Sequence, residues 1–194
     1  MSAEQTKTRI LDAAFREFAE HGLAGARVDR IAKNAECNKN LIYVYFQSKE
    51  ALFATVLDTH MTSVFASFPF TADDLPTVAR HVFDQARTDP GVFRLLAWAT
   101  LENSAAARPP GRGQEYDRVL ALVREQQESG AIRNDAPPEL ILMSVLTLAT
   151  AWAPVFPFGE AANPDAGLSP NTVRDWIADM VGRIAGQNPA AGSP

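Results

Sequence analysis

An all-α protein is predicted by three observations. Apolar residues recur at three- and four-residue spacing in segment after segment, Gly and Pro stop or start most of these runs, and Val28 to Phe53 places two short helix patterns around a tight junction. The 194 residues suffice for one ordinary globular domain, or for a small module joined to a larger one, and 46% hydrophobic against 21% charged residues can build a core. A single cysteine excludes an intramolecular disulfide framework and a cysteine-rich zinc site, which suits a reducing compartment. Met1 to Arg9 is polar and has no signal-peptide core. Leu140 to Phe158 is apolar enough to pose a membrane question. Pro154 and Pro157 interrupt it, and Ser144, Thr147 and Thr150 recur on one side, so a buried helix is expected and no membrane contact.

The formal charge is −5, but its distribution is uneven. Residues 1–50 carry 8 Lys and Arg against 7 Asp and Glu; the remainder is strongly acidic and contains no lysine. A small basic patch on an acidic body fits a protein that meets nucleic acid with one end only.

Ser2 and Gln5 form a capping-box pair, and Ile10, Leu11, Ala14, Phe15, Phe18 and Ala19 then define a first helix that stops at His21-Gly22. Val28, Ile31, Ala32 and Ala35 mark a second helix of two turns, which needs a neighbour to be stable and has Arg27 where a capping side chain is favoured. Asn38 caps a third helix. In it Ile42 and Phe46 face inward with Leu41 or Tyr45 beside them, which turns Lys39, Asn40, Tyr43 and Val44 to solvent. An exposed tyrosine and valine suit a phosphate backbone or a thymine methyl, so this second helix of a helix-turn-helix is expected in a DNA major groove. Cys37, in the turn, reads as a packing residue. Ser48 caps a fourth helix running through Leu52, Phe53, Val56 and Leu57 toward Val64. Lys49 in its first turn opposes the helix dipole unless a phosphate lies there.

TKTRILDAAFREFAEHG followed by VDRIAKNAECNKNLIYVYFQSKEALF resembles the amino-terminal domain of the TetR family of bacterial transcriptional repressors, over roughly residues 5–57. The glycine after helix one, the Tyr43-Val44-Tyr45-Phe46 run and Ser48-Lys49-Glu50 fall at the family spacing. The resemblance implies an all-helical homodimer on a near-palindromic operator, released in many members by a small molecule in the carboxy-terminal domain. By position it assigns Lys39, Asn40, Leu41, Tyr43 and Val44 to the recognition surface and Lys49 to a phosphate, and Arg27 joins them as a basic residue of the same patch. The chain departs from the family at Glu36, where Gly is usual, at Asn38 for Ser, at Asn40 and Leu41 for Gly and Thr, and at Val44 for His. Asn38 still caps. Asn40 pairing with adenine and Leu41 meeting a methyl group imply a different operator, and Glu36 would repel phosphate unless it points away.

Beyond Phe65 the composition changes. Phe68 to Asp74 reads as a linker, and a helix over about Leu75–Thr88 carries Val78, Val82, Phe83 and Ala86. Pro90 starts another, through Phe93, Leu96, Ala97, Thr100 and Leu101, widened by Leu95 and Trp98. Ala105 to Gly113 reads as a mobile loop, and Gln114 to Ser129 as a helix ended by Gly130. Pro137-Pro138 opens a helix that is apolar nearly all round and so needs cover on nearly all sides; the last helix runs from about Ser169 to Ile184. Phe156 to Pro170 is expected to be partly mobile and Gln187 to Pro194 a disordered tail.

The predicted organisation is an amino-terminal three-helix helix-turn-helix domain, residues 1–48, joined to a helical-bundle ligand-binding and dimerisation domain, residues 49–187. Helix 49–65 connects them, and 188–194 is flexible. A two-fold contact of the last two helices is expected through Leu142, Val145, Leu146, Ala149, Val173, Trp176, Ile177, Met180, Val181 and Ile184, the alternative being that both helices complete the intramolecular core. Candidate lining for a pocket that takes a hydrophobic or aromatic effector comes from Phe83, Phe93, Ala97, Trp98, Leu101, Tyr116, Leu120 and Trp152, each of which taken singly also reads as ordinary core. His21, His60 and His81 are scattered, and neither a zinc-protease pattern nor a phosphate loop occurs, so no catalytic residue, metal or cofactor is expected. The functional expectation is a bacterial, cytoplasmic, ligand-released repressor on double-stranded DNA. The alternative is the same regulator governed by a protein partner or by its own concentration.

Overall fold

The computed structural model of the chain describes residues 2–67, 75–102, 110–154, 156, 159, 165 and 167–186. Among them lie nine helices and no strand: α1 (Ala3–Gly25), α2 (Val28–Asn34), α3 (Lys39–Phe46), α4 (Lys49–Ser67), α5 (Leu75–Thr88), α6 (Gly91–Leu101), α7 (Pro110–Glu128), α8 (Pro138–Thr150) and α9 (Pro170–Ala185). They pack as two compact units, residues 1–64 with 91–114, and 65–90 with 115–194.

In the first unit α1 packs against α2 and α6, and α2 against α3. Ser2 Oγ accepts from the Gln5 amide at 3.2 Å while Gln5 Oε1 accepts from the Ser2 amide at 2.9 Å, so the expected capping box forms. Ile10, Ala13, Ala14 and Phe18 of α1 are buried with Ile31, Ile42, Phe46, Leu52, Phe53 and Val56. Phe18 meets Phe53 edge-on at 5.0 Å, and Phe15 stacks on His60 at 3.9 Å, which fixes α4 to α1.

The helical run does not stop at Gly22 but breaks there and resumes for one turn. Gly22 sits at φ 68, ψ −177, a conformation essentially reserved for glycine. The break frees the amides that follow. Glu102, just beyond α6, takes them: its Oε2 accepts from the Leu23 amide at 2.8 Å and its Oε1 from the Ala24 amide at 3.0 Å.

In the second unit α5 packs against α8 and α9, and α8 against α9. Val78, Val82, Phe83 and Ala86 of α5 are buried with Leu142, Val145, Ile177 and Val181. Helix α7 begins at Pro110, inside the stretch read as a loop. Proline has no amide to lose in the first helical turn, so the residue that reads as a breaker serves here as a start. Helix α6 begins at Gly91, one residue after the expected Pro90. After α7 the chain turns at Gly130, φ 76, and Gln127 Nε2 holds the turn by donating to the carbonyls of Arg133 at 3.0 Å and Ala136 at 2.8 Å. Ser169 caps α9 by accepting from the Thr172 amide at 3.1 Å, and Gly186 closes it in the left-handed conformation. The linker expected at Phe68–Asp74, the part of the expected loop before Pro110, most of Phe156–Pro170 and the tail from Gln187 lie outside the described residues.

Candidate nucleic-acid interface

Helix α3 divides as its spacing predicts. Ile42 and Phe46 are buried and Leu41 and Tyr45 half-buried, whereas Lys39 and Asn40 are exposed, Tyr43 is 43% exposed and Val44 72%. Asn38 Oδ1 accepts from the Asn40 amide at 2.8 Å and caps the helix. Ser48 Oγ does the same for α4 by accepting from the Ala51 amide at 3.0 Å.

The basic residues are not equivalent. Lys39 Nζ lies 2.9 Å from the Asp29 carboxylate, and the hydrogen bond it donates to that partner raises the lysine above its ordinary pKa. Lys49 Nζ donates to the Ala26 carbonyl at 3.3 Å from the first position of α4, so its charge is held beside the connector between α1 and α2. Arg27 is exposed at the N-cap of α2, with no side-chain cap bond of its own.

Two residues outside the expected set position this surface. Glu17, only 5% exposed, anchors the entry to α2 from α1: its Oε1 accepts from the amide of the N-cap residue Arg27 at 2.8 Å. The same carboxylate accepts from Arg30 Nε at 2.8 Å and pairs with Arg30 Nη2 at 2.6 Å. Burial alone would raise the Glu17 carboxyl, but the hydrogen bonds from Arg30 and the Arg27 amide outweigh it and hold the group below its ordinary value. Arg9, also on α1, holds the far end of α2, its Nε donating to the Ala35 carbonyl at 2.9 Å and its Nη2 to the Glu36 carbonyl at 2.9 Å. Cys37 beside this turn is half-buried, and burial pushes its thiol up, away from the thiolate a nucleophile needs.

Glu36 takes φ 48 in this turn, a left-handed conformation that costs an ordinary residue roughly 1–2 kcal/mol and glycine almost nothing. Its carboxylate meets Arg9 at 3.7 Å but is 83% exposed, so the ion pair adds little. Glu36→Gly therefore relieves strain while making the unfolded chain freer. A small net stabilisation, below about 1 kcal/mol, is expected in urea unfolding; a clear loss would show that the Arg9 pair matters more than the backbone.

The residues expected to line an effector pocket fall in both units. Phe93, Ala97, Trp98 and Leu101 lie in the first, and Phe83, Tyr116, Leu120 and Trp152 in the second. Phe83 and Leu120 are buried, Leu101 is 77% exposed, and Trp98 lies against Gly22. Of the eight, Trp152 lines a cleft of about 540 Å³ in the second unit, with Leu148, Ala151, Phe156, Leu168, Thr172, Val173, Trp176 and Ile177. Of the residues expected at a two-fold contact, Leu142, Val145, Ala149, Val173, Ile177 and Val181 are buried within the subunit, where α5 and the pair α8 and α9 cover one another. Trp176 is 58% exposed and Leu146, Met180 and Ile184 are half-buried; Leu140 and Met143, outside the expected set, are exposed apolar residues on α8.

No helix among the described residues is long and apolar enough to cross a membrane, and no group of three or more potential metal-binding side chains is found among them.

Residues 10–56 match the family model described as bacterial regulatory proteins, tetR family, and residues 74–183 match that of the tetracyclin repressor-like, C-terminal domain. The HTH-type transcriptional repressor SCO4008 of Streptomyces coelicolor is 42% identical over 186 residues, covering 93% of this chain and 95% of that protein. The HTH-type transcriptional repressor NicS of Pseudomonas putida is 41% identical over 149 residues, 69% of this chain and 68% of that one. The crystal structure of SCO4942 from Streptomyces coelicolor is similar with a TM-score of 0.82 at 33% identity, covering 94% of this chain and 99% of that one.

Proposed function

Because the chain belongs to the TetR family of bacterial regulatory proteins, we propose that it is a homodimeric repressor that reads a palindromic operator with α3 and leaves it when a small hydrophobic or aromatic molecule binds. The observation that carries the DNA reading is the uncovered face of α3, where Tyr43 and Val44 stay exposed while Ile42 and Phe46 anchor the helix. Apolar side chains held out from a well-anchored helix are suited to base edges and thymine methyls, and Asn40 beside them to adenine. Arg27, Lys39 and Lys49 supply phosphate contacts, Lys39 by exchanging Asp29 for the backbone.

Two copies of α3 must sit roughly 34–36 Å apart to enter successive major grooves on one side of the duplex. Trp176, Leu140 and Met143, with half-buried Leu146, Met180 and Ile184, support a dimer through the outward faces of α8 and α9. The cleft around Trp152 supports a hydrophobic or aromatic effector, because indole, phenyl and aliphatic groups make up its walls apart from Thr172, and its volume suits a small ligand. Such a molecule must bind the DNA-incompetent form more tightly than the competent one, since only differential affinity shifts the balance.

Selecting bound sequences from a random duplex pool tests the reading. Tyr43→Ala is expected to weaken operator binding by about tenfold or more, as for loss of a base contact. Lys49→Ala is expected to weaken binding to every duplex, the operator included, and to lower the salt slope by about one. Both variants should remain dimers in sedimentation, and unchanged operator affinity in both would refute the assignment of α3.

A further inference from the structure

We infer that Glu102 is a positioning residue for DNA recognition, holding the turn Leu23–Gly25, and with it the start of α2, in the pose from which α3 presents its reading face. The inference rests on the DNA-binding reading above. Its ground is a long-range contact inside the first unit. The carboxylate of Glu102 spans the Leu23 and Ala24 amides, 79 and 78 residues away in sequence, at the start of the turn that follows the break at Gly22. A carboxylate across two free amides at the beginning of a helical turn is favoured by charge and by geometry.

The approach is possible because Gly22 has no side chain. A Cβ there would lie 2.7 Å from Glu102 Oε1 and 2.9 Å from the Trp98 ring. Downstream of the turn only Ala26 and Arg27 precede α2. This connector is held at further points: the Arg27 amide on Glu17, and the Ala26 carbonyl under Lys49 Nζ. Releasing Glu102 loosens the connector upstream of both, and with it the entry angle of α2, the packing of α3 on α2 and the place of Lys49.

Charge and position predict opposite signs for this residue. A carboxylate acting only through its field would repel DNA, so removing it would strengthen binding to every duplex. A positioning carboxylate predicts a loss confined to the operator.

The test compares wild type, Glu102→Ala and Glu102→Gln on the operator selected by the wild-type chain and on a scrambled duplex, with amide exchange at Leu23 and Ala24 and a urea midpoint. Expected for Glu102→Ala are faster exchange at those two amides, operator affinity lower by about tenfold or more, and scrambled-duplex affinity unchanged or slightly raised. Glu102→Gln should fall between, because its single amide oxygen can accept one of the two bonds well; it carries the same comparison if the alanine variant does not fold. Operator and scrambled affinities that change together, or operator affinity within about twofold of wild type while the two amides exchange faster, would overturn the inference. A wild-type chain that selects no sequence would overturn the DNA reading as well, whereas a selective wild type with an equally selective alanine variant overturns this inference alone.

Discussion

Gly22→Ala is expected to destabilise the first unit by about 3–5 kcal/mol, from two additive sources. The first is the backbone. At φ 68, ψ −177 a side chain is strained whatever the space around it, at a cost of order 1–3 kcal/mol. The second is the neighbours. A Cβ would fall 2.9 Å from two carbons of the Trp98 ring and 2.7 Å from the Glu102 carboxylate, so α6 must retreat or Glu102 must release the Leu23 and Ala24 amides. Against a total stability of roughly 5–15 kcal/mol for an ordinary domain, this removes a large share. Urea unfolding should show a much lower midpoint, and operator affinity should fall with it. Gly25, three residues on, is the control. Its added Cβ would meet only His21 Cβ at 3.4 Å, an ordinary contact, and its conformation lies within the helix, so Gly25→Ala should be neutral or stabilising by up to about 1 kcal/mol. Equal effects at the two positions would remove the case for a specific close approach at Gly22.

Gly22 also marks where the sequence stops being sufficient. Short-range chemistry was readable: Ser2, Asn38 and Ser48 cap the helices they precede, and Ile42 with Phe46, four residues apart, fixes which face of α3 is left out. A glycine after an apolar run was legible as an interruption. That it lets Trp98 and Glu102 approach was not, because the partners lie more than seventy residues away and nothing local names them. The same holds for α6, whose wide apolar face announced burial without saying that α1 would cover it. Helix α8 shows the limit in another way. With apolar residues almost all round, its sequence does not distinguish Leu142, Val145 and Ala149, which are buried in the subunit, from Leu140 and Met143, which face outward. At Pro110 the ambiguity is chemical, since one residue type both breaks a helix interior and opens a helix.

Glu17 offers the second large effect, and a signal for it was present: a carboxylate three residues after Ala14 and seven after Ile10, on the stripe that packs inward. A charge there requires partners, and Arg30 and the Arg27 amide provide them. Glu17→Ala takes the acceptor from the Arg27 amide at the entry to α2 and leaves Arg30 only the Gly25 carbonyl, for which a loss of about 2–3 kcal/mol is expected. Because the folded carboxyl lies below its ordinary value, its contribution is complete above the unfolded glutamate pKa, about 4.3, and is lost as pH falls from there through the folded value. Wild type should therefore lose stability on acidification more steeply than Glu17→Gln, whose side chain keeps its shape but cannot titrate. At neutral pH wild type is the more stable of the two. Urea midpoints measured from pH 7 down to pH 3 would show the two curves converging as Glu17 protonates. Parallel curves would mean that the carboxylate contributes no more to the folded head than a neutral acceptor, and that the Arg30 contact is incidental to the placing of α2.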